Sequence, residues 1–265
     1  MSQMYSDHET AYSRRYLSTL LRAVSQPPCL MGGWAVQLQL NDQFNSSKGR
    51  EYLGSRDIDL GFHLDPNWTA KEFQTSDFYR TIKAIKKLGF EEQSFRFVKH
   101  YHWDSNQELS IEEARELDSY QMFDLFVDLA VDTADPRRID LVGSSVIDEP
   151  LLKTVFLGKE RISAKFYGTD IIMPTPRLLI EMKLKSFPDR TQDDKKTKDL
   201  ADICALMLYT QPEPLTLTAN QDTRLLKENF ERGMETLAEE EWDRVGMMLD
   251  ESRADLIRLL RLNIV

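Results

Sequence analysis

Apolar positions along the chain recur at two spacings, and the switches between them mark out an order of elements. Over residues 8–25, Tyr16, Leu20 and Val24 repeat at helical spacing, and Pro27-Pro28 stops the run. A short apolar piece, CLM (29–31), precedes Gly32-Gly33. WAVQLQLNDQF then predicts a helix: its apolar spacing is ambiguous, but Ala, Gln and Leu favour that state. NSSKGREYLGS (45–55) predicts a loop and RDIDLGFHL a strand. SDFYRTIKAIKKLGF (76–90) predicts an amphipathic helix, N-capped by Ser76 or Asp77 and ending at Gly89.

Further on, SFRFVKHYHW (94–103) alternates as a strand does, and YQMFDLFVDLAV (120–131) predicts a strong strand after an acidic loop. RISAKFYG and TDIIMP suit a further pair of strands. PTPRLLIEMKLKSF (174–187) opens with prolines suited to a helix start, TKDLADICALMLY (197–209) predicts a second helix, and 211–265 is leucine-spaced and helical throughout. The expected fold is α/β (α+β): a mixed-sheet core with flanking helices over 1–172, then a helical region over 173–265.

Composition narrows the functional classes. The 265 residues are 41% hydrophobic and 29% charged, with a formal charge of −10, which argues against a protein that coats nucleic acid by bulk attraction but not against one with a local groove. Cys29 and Cys204 lie far apart without ligand spacing, as expected of reduced thiols in a cytoplasmic protein. The N-terminus lacks an apolar signal core, and ICALMLY (203–209) is too short to span a bilayer, so no membrane partner is expected.

Asp57 and Asp59 carry the candidate chemistry. Two apart on a strand, they share a face at about 6.5–7 Å between Cα atoms, while Ile58 and Leu60 enter the buried side. Like charges that close repel unless a cation bridges them, and magnesium suits the task because it accepts one or two carboxylates and completes its shell with water and phosphate. The alternative is solvated carboxylates at the end of an edge strand. Asp124, Asp128 and Asp132 recur every four residues on one strand face; Asp124 is the preferred third carboxylate, Asp128 the alternative, and Asp132 fits a half-exposed polar face. Gly32-Gly33 at a strand-to-helix turn lets backbone N–H groups approach a phosphate. His100 and His102 share a face without a third ligand, and neither a P-loop nor a dinucleotide fingerprint is present.

Gly32, Gly33, Asp57, Asp59 and Asp124 in this order resemble the nucleotidyltransferase superfamily of DNA polymerase β type. PTPRLLIEMKLKSFPDRTQDDKKTKDLADI resembles the AbiEii-type nucleotidyltransferases, toxins of type IV toxin–antitoxin pairs, through Lys183, Leu184, Arg190, Lys198, Asp199 and Asp202. The resemblance covers about residues 28–210. It implies transfer of a nucleoside monophosphate from a nucleoside triphosphate to an RNA such as tRNA or to a protein hydroxyl, and a cognate antitoxin as partner. Asp57, Asp59 and Asp124 would hold Mg2+, Lys183 the triphosphate, and Asp199 would orient that lysine or act as base. Gly32, Gly33, Arg56 and Arg190 would bind substrate, Arg56 only if its strand begins at Asp57. The gap from Gly33 to Asp57 exceeds the family's usual one, so 45–55 reads as an insertion bringing Lys48 and Arg50 near the site. From a different class, a catalytically weak binding module would act through the 211–265 tail and apolar stripes such as Leu256, Leu259 and Leu260.

Overall fold

The computed structural model describes residues 6–133, 146–158, 160–190, 193–212 and 221–264; of the tail expected to be helical, 213–220 and Val265 lie outside them. Ser6 starts the first helix, α1 (Asp7–Leu21), through a capping box with Glu9. Strand β1 (Cys29–Leu30) leads into α2 (Gly32–Lys48). This helix runs through Asn45–Lys48, where a loop is expected, and stops at Gly49, whose φ of +68° suits a left-handed exit.

Strand β2 (Ile58–Phe62) is followed by α3 (Ala70–Thr75) and by α4 (Asp77–Lys87), N-capped by Ser76. A meander, β3 (Glu91–Gln93), β4 (Arg96–His102) and β5 (Glu108–Leu109), precedes α5 (Ile111–Arg115) and the long β6 (Met122–Val131). Then come β7 (Ile147–Asp148), α6 (Leu152–Phe156) and the hairpin of β8 (Arg161–Phe166) and β9 (Thr169–Pro174). The helices α7 (Pro176–Ser186), α8 (Asp193–Thr210), α9 (Gln221–Glu235), α10 (Glu239–Leu249) and α11 (Arg253–Asn263) complete the chain.

The fold is mixed α/β. One sheet has the order β3-β4-β6-β2-β1-β9-β8, with β5 on β4 and β7 on β6. Strands β2 and β6 are parallel, β4 and β6 antiparallel, so the sheet is mixed. Alternation along β6 buries Phe123, Leu125, Val127 and Leu129 and turns Asp124, Phe126 and Asp128 to the other face.

The chain divides into two compact units, 1–35 with 54–174 and 36–53 with 175–265. The sequence assigns 36–53 to the sheet unit; in the structure it groups with the helices: Val36, Leu40, Phe44 and Tyr52 are core residues, Phe44 packs on Tyr52 and Tyr209, and Tyr52 donates to Asp202. Lys48 donates to the Asp250 carbonyl and to Glu251, and Arg50 to the Met248 carbonyl. These two basic residues anchor helices of their own unit. No helix among the described residues is long and apolar enough to cross a membrane. Both cysteines are buried, and burial pushes each thiol far up from its usual range.

Candidate active site

Three neighbouring strands set one polar row on the open face of the sheet. Arg96 of β4 lies directly opposite Asp128 of β6, and Asp128 lies beside Asp59 of β2 in parallel register. Asp57 sits just before β2. Arg96 clamps Asp128 with two bonds, Nε to Oδ1 at 2.9 Å and Nη2 to Oδ2 at 2.7 Å, and its Nη2 also reaches Asp57 Oδ2 at 3.5 Å. Its plane stacks 3.7 Å over the Phe126 ring. Burial pulls the guanidinium's pKa down, but Asp128, Asp57 and Asp59 together outweigh that and hold it above the ordinary value.

The glycine turn closes on the same row. Gly32 has a φ of +58°, and a Cβ there would stand 1.9 Å from Asp59 Oδ2, so both backbone and space require glycine. The first N–H groups of α2, at Gly32 and Gly33, have no partner within the helix and carry the positive end of its dipole next to that carboxylate.

The register changes the choice of third carboxylate. Asp128 rather than Asp124 neighbours Asp59; Asp124 lies four residues away on β6, about 13 Å, and its Oδ1 is 2.7 Å from His100 Nδ1. Arg56, expected to bind substrate only if its strand begins at Asp57, is tied within the sheet unit. Strand β2 begins at Ile58, and the Arg56 guanidinium donates to Glu9 of α1 at 3.3 Å and lies 3.8 Å from Asp57. Asp132 is buried rather than half-exposed, accepting from the Leu64 N–H and bonded to His63.

Among the described residues no group of three or more His, Cys, Asp or Glu side chains is arranged to hold a metal alone. Magnesium demands less. The carboxylates of Asp57 and Asp59 would suit an ion that completes its shell with water and other ligands; Asp57 is also reached by Arg96, and Asp128 accepts two bonds from it.

In the helical unit, Lys183, Arg190 and Asp199 come together, but in a buried cluster. Lys183 Nζ donates to Asp199 Oδ1 at 2.6 Å and lies 2.8 Å from Asp202 Oδ2. Arg190 Nε donates to Asp199 Oδ2 at 2.7 Å, Tyr52 Oη to Asp202 Oδ1 at 2.7 Å, and Lys198 also donates to Asp202. Burial would raise both carboxyls, but Lys183 with Arg190, and Lys183 with Lys198, hold Asp199 and Asp202 below the usual aspartate range. Burial pulls Lys183 down too, yet its two carboxylates leave it above the lysine range; for Lys198 burial wins.

Sequence reasoning missed Arg96. The signal was present in charge order: Arg96 and His100 on one strand, Asp124 and Asp128 on the other, are each four apart, so one antiparallel register satisfies both pairs at once.

No family model matches the chain, and no curated protein matches it. A crystal structure of an antigenic nucleotidyltransferase-like protein from Paracoccidioides brasiliensis superposes with a TM-score of 0.42 at 15% identity, over 93% of this chain and 94% of that one. A likeness at that level assigns neither family nor activity.

Proposed function

We propose that the chain is a nucleotidyltransferase of DNA polymerase β type, moving a nucleoside monophosphate from a nucleoside triphosphate to a hydroxyl acceptor. The observation that carries this reading is the row of Asp57, Asp59 and Asp128 set against a helix N-terminus that only glycine can form. The acceptor oxygen bonds to the α-phosphorus as that atom's bond to the bridging oxygen of the β-phosphate breaks. Pyrophosphate leaves, and the hydroxyl proton departs to water.

The chain's own residues supply position and charge. N–H groups at Gly32 and Gly33 bind the triphosphate tail. Asp57 and Asp59 would hold Mg2+, which when bound would supply the neutralisation that phosphoryl transfer needs. Arg96 fixes Asp128 and keeps the row from repelling itself apart. Lys183, Arg190, Asp199 and Asp202 match the AbiEii-type pattern, and with it the expectation of an antitoxin partner; their buried ion pairs support a structural part in the helical unit.

One observation favours a second reading, the binding module. Arg96 already gives the acidic row a cation of its own. Thermal melting with a panel of nucleoside triphosphates separates the two. Magnesium-dependent stabilisation by at least one triphosphate supports the enzyme, and no shift with any of them supports the module.

A further inference from the structure

We propose that the far end of β2 carries a second site, a pocket that binds a small, neutral, planar aromatic molecule through one hydrogen bond to His63. The pocket, about 350 Å³, lies within the sheet unit and is walled by Phe62, His63, Trp68, Phe78 and Phe156. His63 follows Asp59 by four residues, about 13 Å along an extended chain, so the pocket stands apart from the acidic row. A Cβ at Gly61 would stand 2.8 Å from Leu152, so the missing side chain lets α6 lie against β2 and bring Phe156 to the wall. The rings of Trp68 and Phe156 are centred 6.4 and 6.1 Å from the imidazole, and all three side chains are half-buried. Flat rings that stay partly open offer stacked and edge-on contact to another flat ring, the usual lining of a small-molecule site.

The polar groups of the wall decide what fits. Asp132, whose side chain is fully buried, accepts from His63 Nδ1 and from the Leu64 N–H. A carboxylate only accepts, so this bond fixes a ring proton on Nδ1. The neutral imidazole then keeps Nε2 as an acceptor, with no protein partner among the described residues. Other polar side chains of the wall are already spent. Asp77 accepts from the Ser25 N–H and hydroxyl, from the Gln26 N–H and from Arg80. The Thr75 hydroxyl donates to the Lys71 and Glu72 carbonyls, and that of Ser76 to the Phe73 carbonyl. Asp77 and Arg80 also cancel in charge at the rim, so the pocket favours no ion. One acceptor among aromatic rings remains, and a flat ligand with a single N–H or O–H donor satisfies it.

The probes are indole, 1-methylindole and indole-3-carboxylate, titrated separately into the full chain and followed by ligand-observed NMR. Indole should bind saturably, and 1-methylindole, the same ring without its donor, about fivefold more weakly. His63→Phe keeps a ring and removes the acceptor, so it should bring the two affinities within about twofold of each other. The comparison of the two ligands on the parent chain stands even if that variant does not fold. Indole-3-carboxylate should bind no better than indole, and a nucleoside triphosphate with Mg2+ should displace neither. Absence of saturable indole binding, equal affinity for indole and 1-methylindole on the parent chain, or a donor preference that survives His63→Phe would each overturn the proposal. Tighter binding of the carboxylate, or displacement by the triphosphate, would overturn it as well.

Discussion

Each unit of the chain gathers aspartates and basic side chains into a cluster, and the two clusters differ in charge balance and in access to water. In the sheet unit, Asp57, Asp59 and Asp128 meet Arg96 and, at Asp57, Arg56, and the side chains of Asp57 and Asp128 keep 17% and 11% of their surface open. In the helical unit, Asp199 and Asp202 meet Lys183, Lys198 and Arg190, and their side chains keep 6% and 1%. A net negative row that still reaches solvent would suit a divalent ion. A buried cluster whose carboxylates are consumed by ammonium and guanidinium groups locks helices together. The same residue types can therefore carry chemistry or architecture, and partner count with depth decides which.

The sharpest way to break this contrast is Lys183→Ala. Leaving two carboxylates buried with less compensation should cost the helical unit about 3–5 kcal/mol, read as a fall in the denaturant midpoint. An unchanged midpoint with abolished nucleotide transfer would move Lys183 into the chemistry. Acid should act on the same cluster. Because Asp199 and Asp202 are held below the aspartate range, their stabilisation is complete above the unfolded value of about 3.9 and disappears as pH falls through their lower native values. Melting followed from pH 6 to pH 2 should show the drop only below about pH 4.

Arg96→Met probes the other side. Removing the clamp should cost about 1–3 kcal/mol, and added Mg2+ should restore more of it in the variant than magnesium adds to the parent chain. Equal magnesium effects in both would argue against an ion in the row. The smallest stability effect is expected from Gly32→Ala, about 1–2 kcal/mol for the left-handed backbone. Displacement of Asp59 should make transfer fall by more than that loss explains; parent-like transfer would remove the glycine turn from the site.

What was legible in the sequence follows the length and regularity of each element. The alternation in 120–131 and 94–103 announced β6 and β4, and Asp57-x-Asp59 announced a carboxylate pair. Elements of two to six residues, such as β1, β5, β7 and α6, are too short to show a period. The extension of α2 through Asn45–Lys48 was hidden because Asn and Ser are weak helix formers; Lys48 is held there by Glu251 and the Asp250 carbonyl, contacts that no local pattern encodes. Equal spacing of Asp124, Asp128 and Asp132 concealed three fates: one bonded to His100, one clamped by Arg96, one buried against His63. Register and depth made that distinction, and both are tertiary properties.

The most direct measurement is transfer of α-phosphate label from a panel of nucleoside triphosphates, with Mg2+, to total RNA and protein by the parent chain, Asp57→Asn and Asp59→Asn. The account predicts labelling by the parent and a loss of at least about 100-fold in each variant, with melting temperatures close to the parent's. Labelling that persists in both variants, or none by a folded parent chain with every triphosphate, would contradict it.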